Sequence, residues 1–205
     1  FLKRTSSDIF DVVLIAIRPQ LLAEHDALRA GGGDFALWSR LASSMLDAMA
    51  SDHGAVRHIV MGLPAPVTDD VIRSSAIFPG WEGVNARAAA EKLFGIPVHV
   101  ENDANLGALA EHRRGVGRGH DTSVFVKISS GVGAGIIIDN QLFHGVGGTA
   151  GEIGHLTLDD AGPLCRCGSR GCLEAYASVG TVLSMTAEQL PYADLDGVVA
   201  AAPPP

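Results

Sequence analysis

Cysteine is scarce: the 205-residue chain has three, Cys165, Cys167 and Cys172, all within one short stretch. An odd, tightly clustered set cannot be a disulfide framework, and in a reducing compartment it points to a metal ion. Aromatics make up only 5% and charged side chains 19%, against 47% hydrophobic residues, so the chain can bury a sizeable core and is neither disordered nor fibrous. Positive charge is the rarer sign. Fifteen Lys and Arg against 23 Asp and Glu leave a formal charge of −8, which argues against this segment itself gripping a nucleic-acid backbone or an anionic membrane. Long apolar runs are missing too. None nears the roughly 18 to 20 residues of a membrane span, and the opening FLKRTSSDIFD lacks the apolar stretch and cleavage site of a secretory signal. The expected location is the cytoplasm. A first residue Phe1 and a closing VVAAAPPP suggest truncation at both ends.

What is present alternates. Asp11 to Ile17 is an apolar, β-branched run that suits a strand buried on both faces. After the Gly31-Gly32-Gly33-Asp34 loop, Trp38, Leu41, Met45, Leu46 and Met49 recur at helical spacing. His58 to Met61 reads as a second strand, Val84 to Phe94 as an Ala-rich helix stopped by Gly95, and Val98 to Val100 as a third strand opened by Pro97. Strand and helix in alternation imply an α/β layer with a largely parallel sheet, whose ligands collect at the carboxyl ends of the strands. Glu101-Asn102-Asp103 falls at such an end. Ala104 to His112 looks helical, and the glycine-rich basic stretch 113–119 separates it from a further strand, Val124 to Ile128. A domain boundary is placed there, with one lobe over 1–114 and a second over 120–205. Gly131 to Gln141 reads as a glycine-rich turn and hairpin, Val179 to Leu190 as one more helix.

His155, Cys165, Cys167 and Cys172 are separated by ten, two and five residues, with Gly162, Pro163, Gly168 and Gly171 between them. Three thiolates and an imidazole fill a tetrahedral Zn²⁺ shell and leave no position for water, so the expected ion is structural. The competing reading is three buried thiols beside an unrelated histidine. A ligating histidine normally has its second ring nitrogen fixed, so His155 can bind metal through one nitrogen and present the other to a ligand hydroxyl.

Asp103 stands where a carboxylate can take a proton from a hydroxyl, or simply where a helix needs a cap; spacing does not choose. Glu152 and Glu174 flank the cysteine loop and, with the imidazole, form a candidate polyol cluster. Ser129 to Gly135 follows a strand as a phosphate-cradling loop does, yet it matches neither the Walker nor the dinucleotide pattern. A plain hairpin entry explains it equally well.

Together these residues resemble the ROK family of repressors, open reading frames and sugar kinases. The likeness rests on Val100-Glu101-Asn102-Asp103-Ala104-Asn105, on Gly131-Val132-Gly133-Ala134-Gly135, on Gly147 to His155 (GGTAGEIGH) and on Cys165 to Glu174 (CRCGSRGCLE). It covers roughly residues 55 to 180. It implies an actin-like (ribonuclease H-like), two-domain α/β sugar kinase fold, incomplete at both ends, and structural zinc on His155, Cys165, Cys167 and Cys172. It further implies sugar hydroxyls bound by Asn102, Asp103, Glu152, His155 and Glu174. In the family's kinases the residue matching Asp103 is the general base, and Gly131, Val132 and Gly133 would approach the phosphates of Mg-ATP. Pro79-Gly80-Trp81 would line the sugar side.

Two departures accompany the likeness. No Asp-x-Gly-Gly-Thr phosphate loop adjoins Asp11 to Ile17, and Ser129-Ser130-Gly131 replaces the Gly-Thr-Gly common in the kinases. Zinc and sugar residues without phosphate loops fit the family's transcriptional regulators. The expectation is therefore the sugar-binding effector domain of such a regulator, a homodimer that meets DNA only through a segment not present here. The alternative is an ATP-dependent kinase of a hexose or N-acetylhexosamine, with Asp103 as general base. A third reading is an inactive fragment held together by its zinc.

Overall fold

The computed structural model describes residues 12–16, 43, 57–73 and 79–186, and the chain divides into two compact units. The helix expected over 38–49 and the loop before it lie outside the described residues, apart from residue 43, which is helical.

The first unit comprises residues 1–106 and 145–149. Its sheet has three parallel strands in the order β1 (Val12–Ala16), β2 (His58–Leu63), β5 (Val98–Asn102). Ile59 pairs with Val98 and Leu63 with Asn102, so β2 and β5 end together. Ile59, Met61 and Leu63 are buried at alternate positions and join Ile72, Trp81, Val98 and Val100 in one core. Each such side chain contributes about 1.5–3 kcal/mol by leaving water. Trp81, in the turn Pro79–Trp81, is 1% exposed, so its indole is core rather than an open sugar-facing surface. Helix α1 (Ala86–Phe94) lays Ala86 and Ala90, one turn apart and without exposure, on this core. It starts later than the apolar pattern suggested because Asn85 is the cap, its Oδ1 accepting the Ala88 N–H at 2.8 Å. Gly95, at φ 64°, ends it. Between β2 and α1, the short strands β3 (Val67–Thr68) and β4 (Val71–Ile72) form a hairpin through Asp69 and Asp70, both left-handed.

Helix α2 (Asp103–Arg114) follows β5 directly, and the division between units falls within it, at residues 106 and 107. That is ahead of the 113–119 stretch where the sequence placed the boundary. The reason is local: the Gly115 and Gly117 amides both donate to Glu111 O, at 2.9 and 3.1 Å, and Val116 N–H donates to the Glu111 carboxylate. The start of the stretch closes the helix.

The second unit comprises residues 107–144 and 150–205. Strands β6 (Ser123–Ile128), β7 (Val132–Ile138) and β8 (Gln141–Leu142) form an antiparallel sheet in that order. Asp139 and Asn140 make the β7–β8 turn with φ 52° and 62°, the double left-handed turn that suits the twist of a hairpin. His112 fastens α2 to this sheet, with Nδ1 at 3.2 Å from Ser123 Oγ and Nε2 at 3.1 Å from Asn140 Oδ1. After β8 the chain turns through Ile153–His155 and a cysteine-bearing loop into α3 (Leu173–Ala177) and α4 (Val179–Thr186). Among the described residues no helix is long and apolar enough to cross a membrane.

Candidate functional site

The Gly-Glu-Ile-Gly-His segment is seated on β7. Ala134 N–H donates to Gly151 O at 2.7 Å, and the Val132 carbonyl lies where a Cβ on Gly154 would stand. Only glycine allows that approach. The turn it makes delivers His155 to the cysteine loop. That loop folds on itself through Cys165 N–H to Ser169 O at 2.8 Å and Gly168 N–H to Cys165 O at 3.0 Å, with Gly168 left-handed. Leu158 N–H to Gly171 O and Leu173 N–H to Leu156 O stitch its two ends together.

The ligand atoms of His155, Cys165, Cys167 and Cys172 all lie within 4.8 Å of one another. Cys167 Sγ is 3.8 Å from Cys172 Sγ, and Cys165 Sγ is 3.7 Å from His155 Nδ1. Sulfurs about 2.3 Å from a tetrahedral zinc stand about 3.8 Å apart, and a sulfur and an imidazole nitrogen about 3.6 Å, so the donor set fits that ion. Electrostatics point the same way. Burial, then the neighbouring thiols, push the Cys172 thiol up to about 12, whereas the Ser169 backbone N–H draws Cys167 down. Three thiolates repel one another unless a cation sits among them.

With Nδ1 turned to Cys165, His155 Nε2 faces outward and lies 3.9 Å from Glu152 Oε2. Glu174, in the first turn of α3, is buried, and its two oxygens are held differently. Oε2 accepts the Val132 N–H at 2.9 Å; Oε1 meets Arg166 Nε at 2.9 Å. Arg166 was not singled out in the sequence, where it is the single residue between two cysteines. The Gly131 to Gly133 loop is the β6–β7 turn, closed by Ser129 N–H to Gly131 O at 2.8 Å, and its Val132 amide is committed to Glu174.

In the first unit, the strand β5 hands its end to α2. Asn102 is the cap of this helix: Oδ1 accepts from Ala104 N–H at 2.8 Å and Asn105 N–H at 3.2 Å, while Nδ2 donates to Ala65 O. Glu101, buried, accepts from Asn102 N–H and from Asn105 Nδ2. Asp103 therefore occupies the first turn of the helix without being its cap. The structure thus brings Glu152, His155 and Glu174 together with the cysteines in the second unit and places Asn102 and Asp103 in the first.

The ROK family model matches residues 37–201, most of the chain. The protein belongs to the ROK family. Its fold is the actin-like α/β fold of the ROK sugar kinases. The chain is 44% identical over 103 residues to the xylose repressor of Bacillus subtilis, a match covering 50% of this chain and 27% of that protein. It is 36% identical over 145 residues to a glucokinase of Thermotoga maritima, covering 70% of this chain and 45% of the other. Among solved structures it resembles a ROK family glucokinase from Streptomyces griseus in complex with glucose and AMPPNP, with a TM-score of 0.68 and 33% identity over 75% of this chain and 50% of that one. The chain thus spans less than half the length of these curated relatives. Relatives of both kinds, repressor and kinase, share the family's framework.

Proposed function

We propose that this chain is the sugar-binding part of a ROK-type transcriptional regulator. The observation that carries sugar binding is the outward Nε2 of His155 beside Glu152, with Nδ1 turned among the thiols. A zinc ion on His155, Cys165, Cys167 and Cys172 would fix the loop and orient that imidazole; it supplies no open coordination position and hence no chemistry of its own. Glu152, His155 and Glu174 of the second unit would then bind sugar hydroxyls through groups already held in place, which lowers the ordering cost of binding, and Asn102 and Asp103 of the first unit are proposed as further sugar ligands. Xylose, after the repressor relatives, and glucose, after the kinases, are the first sugars to test.

Regulation rather than catalysis is favoured by Ser129-Ser130-Gly131 at the β6–β7 loop, where the family's kinases commonly carry Gly-Thr-Gly. The Val132 amide, which a phosphate cradle would aim at an oxyanion, is bonded to Glu174. In this reading the protein acts in the cytoplasm as a homodimer, and a segment outside this chain holds the DNA.

One observation favours the kinase instead: Asn102 does the capping, so the Asp103 carboxylate at the strand end is not needed for it. There it would accept the proton of a sugar hydroxyl as that oxygen attacks the γ-phosphorus of Mg-ATP and ADP departs. Calorimetric titration of the zinc-loaded chain with xylose, glucose and N-acetylhexosamines, each with and without Mg-ATP and with ADP followed, separates the two. Binding without ADP release is the expected result. Sugar-dependent ADP release that Asp103→Asn abolishes, with sugar affinity retained, would make it a kinase, and no binding to any sugar would leave an inactive fragment.

A further inference from the structure

Arg166 stands between two of the thiol ligands, and its guanidinium reaches two other elements. Nε lies 2.9 Å from Glu174 Oε1, and Nη2 donates to the Ser130 carbonyl in the β6–β7 turn. We propose that Arg166 is the positioning residue for Glu174, aiming that carboxylate for a sugar hydroxyl by tying it to both the cysteine loop and the β6–β7 turn. The inference rests on the sugar-binding reading for Glu174.

Three observations carry it. The Glu174 side chain is 8% exposed, and a carboxylate so buried needs a positive or hydrogen-bonding partner on each oxygen. Arg166 supplies Oε1 and the Val132 amide supplies Oε2, so the carboxylate is held by two contacts, one from the cysteine loop and one from β7. Gly131 leaves the room that the carboxylate fills: a Cβ there would stand 2.7 Å from Oε2. Because Arg166 is flanked by Cys165 and Cys167, its own backbone is fixed wherever the loop is fixed. A guanidinium can serve two acceptors in one plane, as an ammonium cannot. Arg166 is itself 37% exposed, which leaves room for a ligand to form at the edge of the pair.

The test uses the zinc-loaded chain with Arg166→Met, Arg166→Lys, Glu174→Gln and the Arg166→Met/Glu174→Gln pair, zinc content being measured for each. Without sugar, exchange of the Val132 amide reports whether Glu174 still holds its place. Arg166→Met should speed it by about tenfold or more, since a charge-assisted contact is lost, with Arg166→Lys between it and wild type. The Ala134 amide, bonded to Gly151 O, should not change. With sugar, Arg166→Met should weaken the dissociation constant about tenfold to a hundredfold in the wild-type background and only about threefold or less in Glu174→Gln. Unchanged Val132 exchange, equal losses in both backgrounds, or departure of zinc from Arg166→Met would overturn the proposal, the last by making Arg166 part of the metal loop's framework. If wild type bound no sugar, the sugar reading would fall, and the Val132 exchange would still decide whether Arg166 holds Glu174.

Discussion

Asn102 and Asp103 are adjacent, and each carries an oxygen able to cap a helix. Sequence spacing left Asp103 open between proton acceptor and helix cap for that reason: the choice of cap depends on which residue is the last non-helical one, a matter of backbone angles that residue type does not record. The structure gives the cap to Asn102, with two amide donors on one Oδ1. Asn102→Ala should therefore lower stability by about 1 kcal/mol in urea unfolding, and Asn102→Asp, which retains the acceptor, by much less. An equal loss from both would mean that the contact of Nδ2 with Ala65 O, rather than the cap, is what matters. Arg166 was illegible for a different reason. Between two cysteines any side chain fits the metal spacing, and only its reach to Glu174 and Ser130 gives it a role.

At the scale of elements, the strands were readable where apolar residues run together, as in β1, β2 and β5, and the helices where alanines and caps mark them. The β3–β4 hairpin was not, because it has two residues per strand and turns on Asp-Asp without a glycine. Another tie invisible in sequence joins α1 to β5. Glu91 accepts the Val98 N–H at 3.1 Å and pairs with Arg87 at 3.1 Å, and these contacts, the amide first, hold its carboxyl below its ordinary 4.5. A depressed folded-state value means the contribution is complete above the ordinary range and is lost as the pH falls through the folded value. Glu91 is a third exposed and screened, so the effect is modest. Glu91→Gln should lower stability modestly at neutral pH and leave it nearly unchanged at pH values well below 4.5, so that the acid limb flattens. An identical acid limb in the variant would show that ionisation of Glu91 contributes nothing to the stability of the fold.

Across the whole molecule the two units are stabilised by different means. The first holds a contiguous apolar core of Ile59, Met61, Leu63, Ile72, Trp81, Val98 and Val100. Among the described residues, the second buries Val132, Ala134 and Ile137 with Cys165 and Cys172, and Val124, Val126, Ile128, Leu158 and Leu164 are each more than half exposed. A metal ion on the four ligands would add to the stability of this unit, and in zinc peptides that ion supplies about 10–16 kcal/mol of folding free energy. The compact His and Cys spacing made this unit's centre legible in the sequence; the way Gly151 and Gly154 seat that centre on β7 was not, since residue type does not record which backbone a glycine approaches. Chelation should then act on one unit alone. With a strong chelator, the Lys127 and Ala134 amides of β6 and β7 should lose protection by on the order of a hundredfold or more, while the Met61 and Glu101 amides of β2 and β5 stay within a few-fold of their starting values. Cys167→Ser should reproduce the pattern without chelator. Protection lost equally in both units would mean that they unfold as one body. Protection kept in both would remove the ion from the stability of the fold and leave the four residues as thiols and an imidazole that happen to meet.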